Sequence, residues 1–337
     1  MLEIYLKERE VAVTAVREAA WLCRAVQLGI TPEVMAKKDR SPVTVADFGS
    51  QALICRRLHE AFPNDPVIAE EDSSALSEPE HAPILNQVRD HVHQIRPEAE
   101  AQEICDWIDY GRTRQYVERF WTLDPIDGTK GFLRGEQYAI ALALIVGGQI
   151  ELAVLGCPNL NSRADGTGLS GVVMLATRGR GAWQLQIDGD TAPVRLSISC
   201  QNDPTQARFC ESVESGHSSH GDAAAIAEQL GITRPPLRLD SQAKYAVVAR
   251  GEADIYLRLP TRADYREKIW DHAAGALLVS EAGGIVTDIN GKTLDFTHGP
   301  GLLQNQGVIA ANRFLHLRVI TELTKLKLAG MIRTMKS

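Results

Sequence analysis

Apolar residues Val13, Val16, Ala20, Cys23 and Val26 recur at the spacing that puts them on one face of a helix. Gly29 and Pro32 then end it. A second helical pattern runs from about residue 47 to 62, with Cys55, His59 and Phe62 on one face, and stops at Pro63. Asn64-Asp65-Pro66 reads as a turn into a short apolar strand, Val67-Ile68-Ala69, which delivers Glu70 and Glu71 at its end. Residues 74–116 are polar and charged, helical in pattern but without a strong apolar face, and read as a solvated excursion or lid. From Phe120 the period changes. Apolar runs at 120–123, 139–146, 150–155, 172–177, 182–186 and 194–199, joined by short turns, predict antiparallel strands. After the polar break at 200–204, strand-like runs at 206–213, 254–259, 285–288 and 307–311 alternate with helical ones. The chain therefore reads as an α+β N-terminal domain (1–201), an antiparallel sheet with helices, followed by an α/β C-terminal domain (202–337). The polar stretch 159–171 is read as an insertion between strands.

Composition narrows the function. The 337 residues carry 36 Lys and Arg against 43 Asp and Glu, a formal net charge of −7, so no global positive field draws a nucleic-acid polymer or an anionic membrane. An anionic substrate needs local help from cations or placed basic side chains. Six cysteines without a Cys-x-x-Cys pair argue against a disulfide framework or a zinc site, and His91 and His93 have no third ligand nearby. The early residues carry acids and lack the apolar core of a signal peptide, which makes the cytoplasm the expected compartment. The most apolar stretch, 138–156, is broken by Gly147-Gly148-Gln149 into halves too short for a helical span of about 20 residues.

The most informative segment is Trp121-Thr122-Leu123-Asp124-Pro125-Ile126-Asp127-Gly128-Thr129-Lys130-Gly131-Phe132. Apolar residues end at Asp124, Pro125 fixes a turn, and Asp127 returns three positions later, so two carboxylates can converge on one point. The Ile126 carbonyl is placed to be a third oxygen, and Gly128 allows a tight path to the Thr129 hydroxyl. Oxygen ligands of this kind suit a hard cation such as magnesium. Taken alone, Asp-Pro-x-Asp-Gly-Thr is equally a surface turn. Three further acidic features shift the balance: Asp47 in Ser41-Pro42-Val43-Thr44-Val45-Ala46-Asp47, the Glu70-Glu71 pair, and Asp271 in Trp270-Asp271-His272-Ala273-Ala274. Asp271 also sits where a helix starts, so a plain N-cap is its structural alternative.

These four motifs together resemble the lithium-sensitive, magnesium-dependent phosphatases that include inositol monophosphatase, over about residues 39 to 312. Thr129-Lys130-Gly131-Phe132-Leu133-Arg134-Gly135 further resembles the 3'(2'),5'-bisphosphate nucleotidase branch of that superfamily. So do Ser212-Val213-Glu214-Ser215-Gly216-His217, Leu239-Asp240-Ser241-Gln242-Ala243-Lys244-Tyr245 and Tyr256-Leu257-Arg258-Leu259. The resemblance implies a layered αβαβα sandwich and two or three magnesium ions. It implies that Glu70, Asp124 and the Ile126 carbonyl hold the first ion and that Asp124, Asp127 and Asp271 hold the second, with Glu70 reaching a weaker third. Thr129, hydrogen-bonded to Asp47, would orient and deprotonate the attacking water. His217, Ser241, Lys244 and Arg258 would line the nucleotide pocket, whose hydroxyl, imidazole and cationic groups suit a ribose and a second phosphate.

The implied reaction is removal of the 3'-phosphate of adenosine 3',5'-bisphosphate by a monomer, with 3'-phosphoadenylyl sulfate as a second substrate. An inositol monophosphatase or inositol polyphosphate phosphatase would share every cation ligand and differ in the pocket. A catalytically silent nucleotide or metal sensor would use the same oxygens, but every expected acid and the threonine are present.

Overall fold

A computed structural model describes residues 4–30, 41–189, 191–214, 219–262 and 265–328. The first helix, α1 (Leu6–Leu28), buries Ala12, Ala15, Val16, Ala19, Cys23 and Val26 and ends at Gly29, while Pro32 lies outside the described residues. The second, α2 (Ser41–Ala61), starts ahead of its predicted position because it is buried nearly all round and so carries no clean apolar stripe. After it comes β1 (Val67–Ala69).

The segment read as a solvated lid is instead part of the core. It contains α3 (Ala82–Val92) and α4 (Ala101–Asp109), whose Val88, Val92, Ile104 and Ile108 are fully buried with the apolar faces of α1 and α2. Each helix is short and commits only a few apolar residues, too few to stand out among the surrounding charges.

The first sheet continues with β2 (Arg119–Asp127), then a one-turn helix α5 (Thr129–Leu133), then β3 (Ala139–Val146), β4 (Gln149–Asn161), β5 (Ser170–Thr177), β6 (Gly181–Gln186) and β7 (Val194–Arg195). Its seven strands lie in sequence order, antiparallel throughout except that β1 runs parallel to β2. Alternation along the strands gives it two apolar faces. Trp121, Leu123, Leu142, Leu144, Val154 and Leu175 face α1 to α4, whereas Phe120, Ala141, Ala143, Leu155, Met174 and Ala176 face the other way.

The second half supplies β8 (Phe209–Glu211), α6 (His220–Gln229), β9 (Leu237–Arg238), α7 (Ala243–Ala249), β10 (Ile255–Arg258), α8 (Ala273–Glu281), β11 (Ile285–Thr287), β12 (Val308–Ala311) and α9 (Arg313–Leu328). These strands form a mixed sheet ordered β11-β12-β10-β8-β9. Both α7 and α8 share a core with the inner face of the first sheet and with Cys210, Tyr256, Val308 and Ala310 of the second. They touch through a glycine: a Cβ on Gly275 would lie 2.2 Å from the Tyr245 ring. Phe209, Ile255, Leu257 and Ile309, on the outer face of the second sheet, pack with Ile226 of α6 and with Leu315, Val319 and Leu323 of α9. Helices, sheet, helices, sheet and helices thus stack as five layers, the αβαβα sandwich. Among the described residues no helix is long and apolar enough to cross a membrane.

Candidate active site

Parallel pairing of β1 with β2 brings two acids to one place, since the Glu70 N–H donates to the Leu123 carbonyl at 3.2 Å and Asp124 follows Leu123. Gln51 holds the neighbouring residue through its main chain, donating to the Glu71 carbonyl at 2.7 Å and accepting from the Glu71 N–H at 3.2 Å. Glu70 lines the central cavity; Glu71 is not among its lining residues.

Strand β2 does not stop at Asp124 as the apolar pattern suggested. It continues through Asp127 with a bulge, because Asp124 pairs with Ala141 and Asp127 with Ala139, three residues against two. Pro125, which lacks an N–H, is tolerated at such a break in the ladder. Beyond it, Gly128 has φ +90° and faces Ser241, itself left-handed at φ +68°; a Cβ on Gly128 would come within 2.9 Å of the Ser241 Cβ. This close approach lets the Gln242 N–H donate to Asp127 Oδ2 at 2.5 Å. Asp271 arrives from the far side, immediately ahead of α8. The N-cap position belongs to His272, so the capping alternative for Asp271 is not realised.

One cavity of about 200 Å³ collects Glu70, Asp124, Ile126, Asp127, Thr129, Ser241, Lys244, Arg258 and Asp271, with Lys130, Asp240, Gln242, Tyr256 and Tyr265 beside them. Asp47 is not on its wall. It is buried behind, and no hydrogen bond joins it to Thr129, which is exposed; the pairing expected between them is absent among the described residues. His217 lies outside the described residues.

The pocket residues Arg258 and Lys244 are held by partners, Glu267, His272 and Tyr245 among them, to which the sequence alone assigns no role. Arg258 is held as a fork on Glu267, through Nε to Oε1 at 3.0 Å and Nη2 to Oε2 at 2.8 Å, with Tyr265 Oη at 3.4 Å from Nη2. Fully buried His272 reaches Glu267 Oε2 through Nε2 at 3.1 Å and Tyr245 Oη through Nδ1 at 2.8 Å. With Glu267 ionised, Nε2 carries the proton and Nδ1 accepts from the tyrosine. Position four residues ahead of Asp271 is the only sequence clue to Glu267. Buried Lys244 donates to the Leu239 carbonyl at 3.3 Å and stands 5.6 Å from the Tyr256 ring centroid. At the rim, Glu214 takes Lys130 at 3.0 Å and Arg134 at 2.9 Å.

The description "Inositol monophosphatase family" matches residues 6–328 of the sequence. The chain belongs to the inositol monophosphatase family. It is 44% identical over 332 residues to the 3'(2'),5'-bisphosphate nucleotidase of Schizosaccharomyces pombe, covering 93% of this chain and 94% of that protein. It is equally 44% identical over 330 residues to the Oryza sativa protein of the same name, covering 92% of each. The Thermotoga maritima IMPase has the same fold, with a TM-score of 0.62 and 19% identity over 96% of this chain and 99% of that one.

The acids of this inositol monophosphatase family site repel one another. Burial, then Asp271 and Glu71, pushes the Glu70 carboxyl up to about 8. Burial raises Asp271 to about 6, with Asp127 pushing the same way and Arg258 opposing. Asp124 lies well above the carboxylate range through burial and then Glu70, Asp127 and Asp271, and Asp47 does so through burial, Glu71 and Glu70. Burial likewise lowers Lys244, against the pull of Asp127.

Crowded acids of this kind fit a cation. Asp124 Oδ1 is buried with no hydrogen-bond partner, and the surrounding donors are all oxygens, the set preferred by hard divalent ions. Glu267, Asp271 and His272 also bring ligand atoms within 4.8 Å of one another. There, however, Glu267 is committed to Arg258 and both ring nitrogens of His272 are taken, so only Asp271 of the three lines the cavity.

Proposed function

We propose that this chain is a 3'(2'),5'-bisphosphate nucleotidase that hydrolyses adenosine 3',5'-bisphosphate to AMP and phosphate, with 3'-phosphoadenylyl sulfate as a second substrate. One observation carries the reading. The acid cluster and the groups Ser241, Lys244 and Arg258 open into the same cavity, so a ligand phosphate can sit at the acids while a second phosphate meets the bases. The identity of 44% to nucleotidases over nearly the whole chain supports the same substrate class.

Phosphatases of this family are metal-dependent. Here Glu70, Asp124 and the Ile126 carbonyl would hold one magnesium ion and Asp124, Asp127 and Asp271 another, with Glu70 open to a third. Bound cations supply neutralisation of the phosphoryl oxygens, acidification of water and relief of charge on the departing oxygen. The protein's own groups do the rest. The Thr129 hydroxyl, exposed on the wall, hydrogen-bonds the attacking water and orients it in line with the bond from phosphorus to the ribose 3'-oxygen. For Asp47 to take the proton, its buried carboxylate and the Thr129 hydroxyl must first come into the hydrogen bond that this arrangement lacks. Water adds to phosphorus, the bond to the 3'-oxygen breaks, and that oxygen takes a proton from a solvent water to leave as the ribose hydroxyl. Arg258, held rigid by Glu267, and Lys244 retain the 5'-phosphate, while Ser241 meets the ribose.

Phosphate release from adenosine 3',5'-bisphosphate, 3'-phosphoadenylyl sulfate and inositol 1-phosphate, each with and without magnesium, tests the reading. The nucleotides should be preferred, and only with magnesium. Preference for inositol 1-phosphate would replace it with an inositol phosphatase, and absence of turnover on all three would leave a nucleotide or metal sensor.

A further inference from the structure

We infer that Gln242 is the positioning residue that sets the separation of the acids at 127 and 271; the inference deepens the cation reading above and rests on it. Gln242 is 2% exposed, at the edge of the cavity that holds the acids. Its main chain and its side chain are tied to different acids. The left-handed turn at Ser241 directs the Gln242 N–H onto Asp127 Oδ2 at 2.5 Å. The side-chain amide reaches across to α8, donating through Nε2 to the Trp270 carbonyl at 2.8 Å and accepting through Oε1 from the Gly275 N–H at 3.0 Å. Trp270 precedes Asp271 directly and Gly275 lies in the first turn of α8, so the amide brackets the backbone on both sides of that acid.

This linkage matters because Asp127 belongs to the first sheet and Asp271 to the middle helical layer. Both are carboxylates facing one cavity, and like charges separate unless something fixes them. A cation that takes oxygens from both acids is bound well only if their spacing is already right, because reorganising them would weaken its binding. Gln242 supplies that spacing without touching the cation. An amide suits this role because it donates to one main-chain group, accepts from another, and brings no charge into a crowded acidic site.

The test uses the full chain, and magnesium alone as the probe, in isothermal titration calorimetry without substrate. Gln242→Met keeps side-chain length and removes both hydrogen bonds; Gln242→Asn keeps the amide but is one methylene too short to bridge both partners. Each variant should bind magnesium about 10- to 100-fold more weakly, while its circular dichroism in chelator matches wild type and its KM for nucleotide at saturating magnesium is unchanged. A lower melting temperature in chelator with magnesium affinity unchanged would make Gln242 a merely structural residue and overturn the inference. Wild type and Asp124→Asn serve as controls. If Asp124→Asn binds magnesium as tightly as wild type, the acid cluster is not the cation site and the reading beneath the inference falls with it.

Discussion

Asp271→Asn removes one of the crowded carboxylates and should stabilise the cation-free protein. Without cations the Asp271 carboxyl titrates near 6 instead of the ordinary 3.8, raised by burial against the pull of Arg258. The folded state therefore holds this proton more tightly than the unfolded chain does. Below pH 3.8 the group costs nothing; between 3.8 and 6 the cost grows; above 6 it is complete. A gap of about two pH units at about 1.4 kcal/mol each sets a ceiling of about 3 kcal/mol. Unfolding entropy of about 2.1 cal/mol/K per residue makes about 0.7 kcal/mol/K for a chain of this length, so the ceiling corresponds to about 4 °C. Differential scanning calorimetry in EDTA at pH 7.5 should find Asp271→Asn up to that much more stable than wild type, with the advantage gone near pH 4. Glu70, raised to about 8, extends the pH-dependent loss of wild-type stability upward to that region. Added magnesium should reverse the order, because wild type gains from binding what the variant has lost, and the variant should not turn over nucleotide. Equal stability of the two proteins in EDTA at pH 7.5, with no rise in wild-type stability between pH 8 and 5, would refute the reasoning.

Two pairs of substitutions separate chemistry from recognition. Thr129→Ala should lower kcat while leaving magnesium and nucleotide binding intact, and Asp47→Asn should follow it; steady-state kinetics showing a raised KM with kcat unchanged would remove both from water activation. Arg258→Ala and Lys244→Ala should raise KM for adenosine 3',5'-bisphosphate about ten- to hundredfold, the worth of a charged hydrogen bond of about 1.5–3 kcal/mol, with far less effect on a small monophosphate ester. Equal losses on both substrates would assign these residues to the fold.

The first sheet was legible because its strands are long and apolar and its turns short, and α1 because its buried residues keep a helical period. For α3 and α4 the helical pattern was legible but the burial was not, because Val88, Val92, Ile104 and Ile108 are embedded among charges and their burial depends on partners distant in sequence. Within the site, acids at the ends of elements carry their meaning locally: Glu70, Asp124 and Asp127 beside strand ends and Asp271 ahead of a helix could be singled out because acids so grouped invite a cation. Gln242 stood inside a recognised motif, yet its role depends on Asp127 and Trp270, 115 and 28 residues away. Glu267 was missed for a related reason, since a buried glutamate reveals its purpose only once Arg258 and His272 close on it. The Asp127 bulge also escaped, because Pro125 signals a turn as readily as a kink within a strand.

The middle helical layer also governs how the protein comes off the ribosome. The chain has completed β7 by residue 195, but α8, the last helix of that layer, ends only at Glu281. At about 5–20 residues per second, synthesis of the intervening stretch takes roughly 4 to 17 s. Until α7 and then α8 are made, Ala141, Ala143, Leu155, Met174 and Ala176 await their full cover, an apolar sheet face open to chaperones and to neighbouring nascent chains. Slowing translation across residues 196–281 should therefore cost more soluble protein than the same delay placed after Glu281, a dependence set by the order in which the layers are made.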